Sequence, residues 1–176
     1  MSMSFSRNSP PRARLPLLDR LIDEAPEQRT DPPLSPGDAL LLLRRSVRRD
    51  LEALLNARRR WRSLPPHLTE LRTSSVGYGI PDFSSGTLND PRQRESLRAE
   101  IEMTIRRFEP RFATLSVFAV ESDDPLEPRL RLRIEALLHA EPAHETVTFD
   151  TVVDASTAEV TVRVLGERMS AERNDV

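Results

Sequence analysis

Glu109 is the residue of this sequence whose surroundings best suit acid–base chemistry. A phenylalanine and a proline flank it, and an apolar setting raises the pKa of a carboxyl group, as a general acid in glycoside hydrolysis requires. A second, ionised carboxylate would complete such a site, and Asp82 and Asp90 are the candidates. Arg111, however, lies two residues further on and favours the charged form of Glu109. A lysozyme-like peptidoglycan hydrolase is therefore weakened as an interpretation but stays open.

The same residues also suit recognition of a partner protein. Glu109 precedes Pro110, which pushes it out of helical geometry, so a stiff turn would present Glu109 and Arg111 together. The two charges could pair within the chain, which contributes little at an exposed position, or across an interface. For an exposed pair, reversing the charge of Glu109 should weaken assembly more than it lowers the melting temperature.

Metal or nucleophilic chemistry finds little support. Two histidines and two glutamates lie close together in the sequence, but their spacing matches no ligand pattern, and we expect a surface loop. His67 has no cysteine and no Gly-x-Ser-x-Gly elbow to act with, so a nucleophile and base pair is not indicated. The four clustered residues are His139, Glu141, His144 and Glu145. We expect neither metal nor cofactor.

Composition excludes further classes of function. The 176 residues include 26 basic ones, all Arg, against 28 acidic ones, and a net charge of -2 excludes a globally basic nucleic-acid-binding protein. No Gly-rich phosphate loop occurs, and 5% aromatic residues provide no stacking platform for single strands. The absence of Cys fits a reducing compartment. Without a secretory signal or an apolar run long enough to span a bilayer, we expect a cytoplasmic protein.

Proline content separates an N-terminal arm from the rest of the chain. Residues 1–36 contain seven prolines, which prevents regular structure throughout. Within this arm a short apolar stripe needs a surface to dock on, either on its own domain or on a partner chain. Its residues are Leu17, Leu18, Leu21 and Ile22. We expect a single domain at 37–164 and a polar tail at 165–176.

Two capping patterns predict the helices of this domain. Ser35 before Pro36, and Asp90 before a second proline, are typical helix starts. Apolar residues at steps of three and four predict that the first helix runs to about residue 60 and that the second ends at Pro110. The arginines at 58–60 indicate a solvated helix terminus or, less favoured, a phosphate site.

The long connection between the helices, residues 62–89, contains prolines and glycines without a sustained period. It predicts a series of turns, with an ordered segment at 78–83 because glycine, proline and two aromatic residues meet there. A connection of this length is usually functional or mobile.

After Pro110 the apolar period changes to two, which predicts strands. The last two strands flank the five residues 154–158 and read as a hairpin. We therefore predict an α+β fold, with two main helices packed on a three- to four-stranded, mainly antiparallel sheet. Alternating Val160, Val162 and Val164 predict a final strand whose outer edge is open to a partner.

Five segments occur in the order seen in one known family. They are Leu-Leu-Asp-Arg-Leu at 17–21, Ser-Val-Arg-Arg-Asp-Leu-Glu-Ala-Leu-Leu-Asn-Ala-Arg-Arg at 46–59, Ser-Val-Gly-Tyr-Gly-Ile-Pro-Asp-Phe at 75–83, Ile-Arg-Arg-Phe-Glu-Pro-Arg at 105–111, and the closing hairpin. Together they resemble TssE, the baseplate subunit of bacterial type VI secretion systems, which is similar to a wedge protein of contractile-phage baseplates. The resemblance covers about residues 15–164.

The resemblance implies a structural role without catalysis. Such a protein links the other baseplate subunits and passes assembly on to the contractile sheath, at a baseplate on the cytoplasmic side of the inner membrane. It also implies that the lysozyme label once attached to the family is a misnomer. The alternatives are the peptidoglycan hydrolase and an interaction domain unrelated to secretion.

The resemblance also assigns residues. The family's Glu-Pro-Arg signature, which serves assembly contacts, matches residues 109–111, and its Tyr-Gly-Leu-Pro-Asp pattern matches residues 78–82 with Ile80 in place of Leu. The final strand would seed the sheath, and proline at Thr161 or Val162 should then abolish sheath recruitment and leave the fold intact. The predicted partner-binding residues are Leu17, Leu18, Leu21, Tyr78, Pro81, Asp82, Glu109, Pro110, Arg111, Val160, Val162 and Val164.

Overall fold

A computed structural model describes most of the domain and five residues of the arm. The described residues are 19, 21, 27, 35–59, 65, 67–83, 88, 90–120, 129–140 and 144–165. Leu17, Leu18 and Ile22 of the predicted apolar stripe lie outside them, as does the predicted polar tail beyond Leu165.

The first helix, α1, spans Pro36–Asn56 and begins where the capping pattern predicts. The Ser35 hydroxyl accepts the backbone N–H of Asp38 at 3.1 Å, and Pro36 occupies the first turn. The apolar face of α1 is buried against the sheet. Its residues are Leu43, Val47, Leu51, Leu54 and Leu55.

The end of α1 comes earlier than the predicted residue 60. Ala57 still donates its N–H to Ala53 at 3.1 Å, but its own backbone is extended. Arg58 then forms a parallel bridge with Ile80. The chain leaves the helix because a segment more than twenty residues further on supplies its next hydrogen bonds.

The predicted solvated arginine terminus is also wrong for Arg58 and Arg59. The Arg58 guanidinium donates to the Leu55 carbonyl at 2.8 Å and stacks 4.3 Å from the centre of the Phe83 ring. Arg59 pairs with Glu100 at 2.6 Å, and its side chain is 9% exposed. Both arginines therefore stabilise tertiary contacts of the domain.

In the parts that the structure describes, residues 65, 67–83 and 88, the connection to the second helix contains turns, as predicted. Two 3-10 turns lie at Thr69–Arg72 and Ser75–Gly77, and Ile80 and Phe83 are buried. The second helix, α2, spans Pro91–Phe108, and the Asp90 side chain accepts the backbone N–H of Arg92 at its start. Its inward residues are Leu97, Ile101, Thr104 and Ile105.

Four antiparallel strands follow in the order β1-β2-β3-β4. They are β1 (Phe112–Val120), β2 (Arg129–Leu138), β3 (Glu145–Asp154) and β4 (Glu159–Val164). Alternate residues of β2 and β3 are buried, and both helices pack on that face, α1 along β4 and α2 along β1. The predicted α+β fold with a C-terminal hairpin is confirmed.

The hairpin loop is one residue shorter than predicted, because Asp154 pairs with Glu159 in the ladder. The Asp154 carboxylate accepts the backbone N–H groups of Ser156 and Thr157 at 2.8 and 3.3 Å. These bonds close the turn, and Ala158 completes it with a φ of 56°. The turn fixes the register of β4 against β3.

Candidate partner-binding site

The Glu-Pro-Arg turn joins α2 to β1. Glu109 ends α2 by donating its N–H to Ile105 at 2.8 Å, and its backbone leaves helical geometry as expected before proline. Phe108 is half-buried against the core and meets the Tyr78 ring edge-on, with centres 5.3 Å apart. The turn is therefore held on both sides by ordered structure.

Glu109 and Arg111 form an ion pair within the chain, in which Glu109 is buried and Arg111 is half-buried. Glu109 is 5% exposed. Its Oε1 accepts from Nε of Arg111 at 2.5 Å and from the Arg111 backbone N–H at 3.2 Å, while Oε2 pairs with Nη2. The premise of an exposed, weakly stabilising pair is thus wrong, and with it the expectation that charge reversal would spare stability.

Arg111 also connects the turn to α1. Its Nη2 donates to Oδ2 of Asp50 at 2.8 Å, and its Nη1 donates to Oγ of Ser46 at 3.2 Å. Burial disfavours the charged guanidinium, but the hydrogen bonds and charges of Glu109 and Asp50 outweigh it and raise the pKa of Arg111. Arg111 is therefore a permanent cation shared by two carboxylates.

A pocket of about 320 Å³ lies over this network. Its lining combines the two carboxylates and the guanidinium with apolar walls. Burial, with the charges of Asp50 and Glu109, raises the pKa of Tyr78 at its rim. The lining residues are Asp50, Leu54, Tyr78, Phe108, Glu109, Pro110 and Arg111.

This pocket does not have the arrangement that the hydrolase interpretation requires. Asp82 and Asp90, the predicted second carboxylates, are not among its lining residues. Asp50 is, but Asp50 and Glu109 both bind the guanidinium of Arg111, so neither carboxyl group has the apolar surroundings that a general acid requires. The geometry favours a stiff charged turn beneath an apolar-walled depression.

Asp50 and Ser46 are the members of this network that the sequence interpretation missed. They lie four residues apart on α1, and residues at that spacing share one helix face. Their spacing of four residues on one helix face was the available signal. No local pattern indicates that this face meets a turn about sixty residues away.

The other predicted residues occupy separate places. Tyr78 is 39% exposed beside the pocket, whereas half-buried Pro81 and exposed Asp82 do not line it. Leu21, the described member of the apolar stripe, is 81% exposed. Whether these residues bind a partner stays a prediction.

β4 is an edge strand, but its outer side is partly occupied. The side chain of Asn56 accepts the N–H of Val160 at 2.9 Å and donates to its carbonyl at 2.8 Å. Glu52 accepts the N–H of Val162 at 3.4 Å, and both valine side chains are buried. The expectation of a fully open edge is therefore corrected, because α1 covers the first half of β4.

The histidine pair lies where β2 meets β3. The rings of His139 and His144 are 5.0 Å apart and edge-on, and Glu145 pairs with Arg44. Glu141 lies outside the described residues. Within the described parts of the chain no three metal-ligating side chains converge, and neither helix there is long and apolar enough to cross a membrane.

Comparison with known proteins bears on the same region. A protein-family model described as baseplate wedge protein gp25 matches residues 42–143, from α1 to the end of β2 and the loop beyond it. The match includes the whole Glu109–Arg111 network with Ser46 and Asp50. A search of curated proteins found no match. Because the matched range exceeds half of the chain, the protein belongs to the baseplate wedge protein gp25 family, of which TssE is the type VI homologue, and this supports a structural role in a baseplate.

Proposed function

We propose that the protein is a baseplate subunit of a bacterial type VI secretion system, which links wedge subunits and seeds the contractile sheath. In this role it acts in the cytoplasm, at a baseplate associated with the inner membrane, and catalyses no reaction. The family match over residues 42–143 supports the baseplate role. The five segments that resemble TssE support assignment to a type VI system.

The observation that carries the proposal is the state of the charged turn inside the matched range. Glu109 is fully engaged by Arg111, and Arg111 by Asp50 and Ser46 as well. Such a network fixes backbone geometry and is poorly suited to proton transfer. It supports a surface shaped for docking, with Pro110 and Tyr78 exposed at its rim.

The pocket above the turn suits an apolar side chain of a neighbouring subunit. Leu54, Phe108 and Pro110 supply apolar walls, and its volume of about 320 Å³ is enough for one such side chain. Interfaces often derive most of their binding energy from one anchor in a desolvated pocket. In this proposal the Glu-Pro-Arg turn supports the pocket, and the exposed rim makes the contact.

Sheath seeding would use the second half of β4. The N–H groups of Val160 and Val162 point outward, toward α1. Because backbone groups alternate along a strand, Thr161 points its N–H toward β3 and Val164 points its N–H outward. The exposed margin near Val164 is thus where a sheath strand would add.

This placement changes the choice of proline substitution. We expect Val164→Pro to abolish sheath recruitment, with a melting temperature only a few degrees lower, because an edge strand tolerates proline where its N–H faces outward. Thr161→Pro should instead destabilise the domain by about 3 kcal/mol or more, since it removes a ladder bond. Fluorescent sheath foci and thermal unfolding measure both effects. Normal foci with Val164→Pro would show that β4 is not the sheath-docking element.

The whole proposal is tested by deleting the gene in its host and counting sheath foci. We expect no foci, and we expect the purified chain to bring down the other baseplate subunits from that host. Foci that persist without the protein would contradict a baseplate role. As a separate readout, purified protein incubated with cell-wall sacculi should release no soluble fragments, whereas release would support the hydrolase interpretation.

A further inference from the structure

Asp19 of the N-terminal arm binds α1 beside the Glu-Pro-Arg turn. Its Oδ2 accepts the hydroxyl hydrogen of Ser46 at 2.5 Å, and its Oδ1 accepts from Nη1 of Arg49 at 2.8 Å. The Asp19 side chain is only 16% exposed. Both carboxylate oxygens are therefore satisfied by donors about thirty residues away in the sequence.

Ser46 requires the bound side chain to accept a hydrogen bond. The residue is 4% exposed, and its oxygen already accepts from Nη1 of Arg111 at 3.2 Å. Its single hydrogen must therefore go to a second acceptor. An amide in place of the Asp19 carboxylate would offer one oxygen and would turn an NH₂ group toward either Ser46 or Arg49.

Apolar contacts contribute little to the attachment of the arm residues that the structure describes. Leu21, two residues after Asp19, is 81% exposed. Burial opposes ionisation of Asp19, but the hydrogen bonds from Ser46 and Arg49 and the charges of Arg49 and Arg111 outweigh it and lower its pKa. Among the described residues 19, 21 and 27, the charged carboxylate of Asp19 is thus the main attachment to the domain.

We propose that Ser46, Arg49 and Arg111 form a binding site for an aspartate-bearing peptide segment, and that its occupant is this chain's own N-terminal arm, through Asp19. The arm then becomes part of the domain surface. Leu21 stays exposed two residues from this attachment, so it and the Glu109–Arg111 turn contribute to one composite face. This site exists whether or not the chain works in a type VI system.

Label mobility tests the attachment in the full-length protein. The chain has no cysteine, so Leu21→Cys provides a unique position for a nitroxide label on a side chain that is exposed. We expect a slow-motion component in the spectrum that Asp19→Asn removes. Glu27→Gln removes a different carboxylate of the arm, on an exposed residue, and should leave the component unchanged. A spectrum that Asp19→Asn leaves unaltered would overturn the proposal.

Binding in trans tests the specificity of the site. A fluorescent peptide copy of residues 15–23, Leu-Pro-Leu-Leu-Asp-Arg-Leu-Ile-Asp, should bind the Asp19→Asn protein, whose own arm no longer competes. The peptide with asparagine at the position of Asp19 should bind about tenfold more weakly, because charge-assisted hydrogen bonds are lost. Ser46→Ala in the same protein should lower peptide affinity similarly, and circular dichroism confirms folding. Equal affinity of the two peptides would contradict carboxylate selectivity.

The site could also hold the arm of a second copy. Dilution of the labelled wild-type protein separates the two cases, because an arm bound within its own chain stays immobile at every concentration. Loss of the slow-motion component on dilution, together with a dimer on size-exclusion chromatography, would overturn the assignment to the chain's own arm.

Discussion

Replacement of Glu109 by alanine is expected to lower the free energy of unfolding by about 3 kcal/mol, because removing the buried partner of an ion pair leaves the other charge less well compensated. Glu109 is 5% exposed and binds Arg111 through both carboxylate oxygens. Asp50 and Ser46 remain as partners of Arg111, which keeps the loss below the upper end for buried pairs. Urea denaturation followed by circular dichroism measures the effect.

Glu95, on the helix that Glu109 terminates, provides the control. It pairs with Arg98 one turn away, and its side chain is 62% exposed, so Glu95→Ala should leave stability nearly unchanged. Glu109→Gln should lie between wild type and Glu109→Ala, because an amide oxygen still accepts one bond from Arg111. If Glu109→Ala and Glu95→Ala unfold at the same urea concentration, the buried network does not stabilise the domain.

This expectation changes how an assembly defect at Glu109 would be interpreted. A substitution that destabilises the turn also displaces its rim, so loss of assembly would not identify Glu109 as a contact residue. Tyr78→Ala is more informative, since Tyr78 is 39% exposed and lines the pocket. It removes rim surface and leaves the Glu109–Arg111 pair intact.

Sequence alone predicted the elements of the fold because their signals are local. Ser35 and Asp90 side chains cap the helices where their types and spacing indicate, and alternation identified the strands. The end of α1 was misplaced because the bonds between Ala57, Arg59 and Ile80 depend on chain packing. No helical propensity within residues 57–60 could reveal that competing partner.

In the candidate site, too, only the contacts between residues close in sequence could be predicted. The Glu109–Arg111 pairing spans two residues and follows from the pre-proline turn, whereas the bond that ties Arg111 to α1 comes from Asp50, 61 residues away. Likewise β4 was predicted as the last strand, but Asn56, 104 residues away, occupies the outer side of Val160. Which polar groups meet across the fold is decided by packing of α1 on the sheet, which no local pattern encodes.

Gly79→Ala is expected to destabilise the domain by about 3 kcal/mol, because the substitution combines backbone strain with a clash against the main chain. Gly79 has a φ of 94°, a conformation that residues with a Cβ rarely adopt. A Cβ there would lie 2.3 Å from the carbonyl oxygen of Ala57 and 2.7 Å from its carbon. Urea denaturation of the purified variant measures the loss.

The clash would act on the bonds that end α1. The Ile80 N–H donates to the Ala57 carbonyl at 3.0 Å, and Arg59 donates to the Ile80 carbonyl at 2.9 Å. Moving Gly79 away from Ala57 breaks this bridge and shifts Tyr78 from its contact with Phe108, so the pocket rim should be lost as well. Gly37→Ala is the matched control, since its Cβ would meet only Ser35 Oγ at 3.8 Å in the first turn of α1, where alanine is favoured. Equal stability of the two variants would mean that the close approach of Gly79 to Ala57 does not constrain the residue at this position.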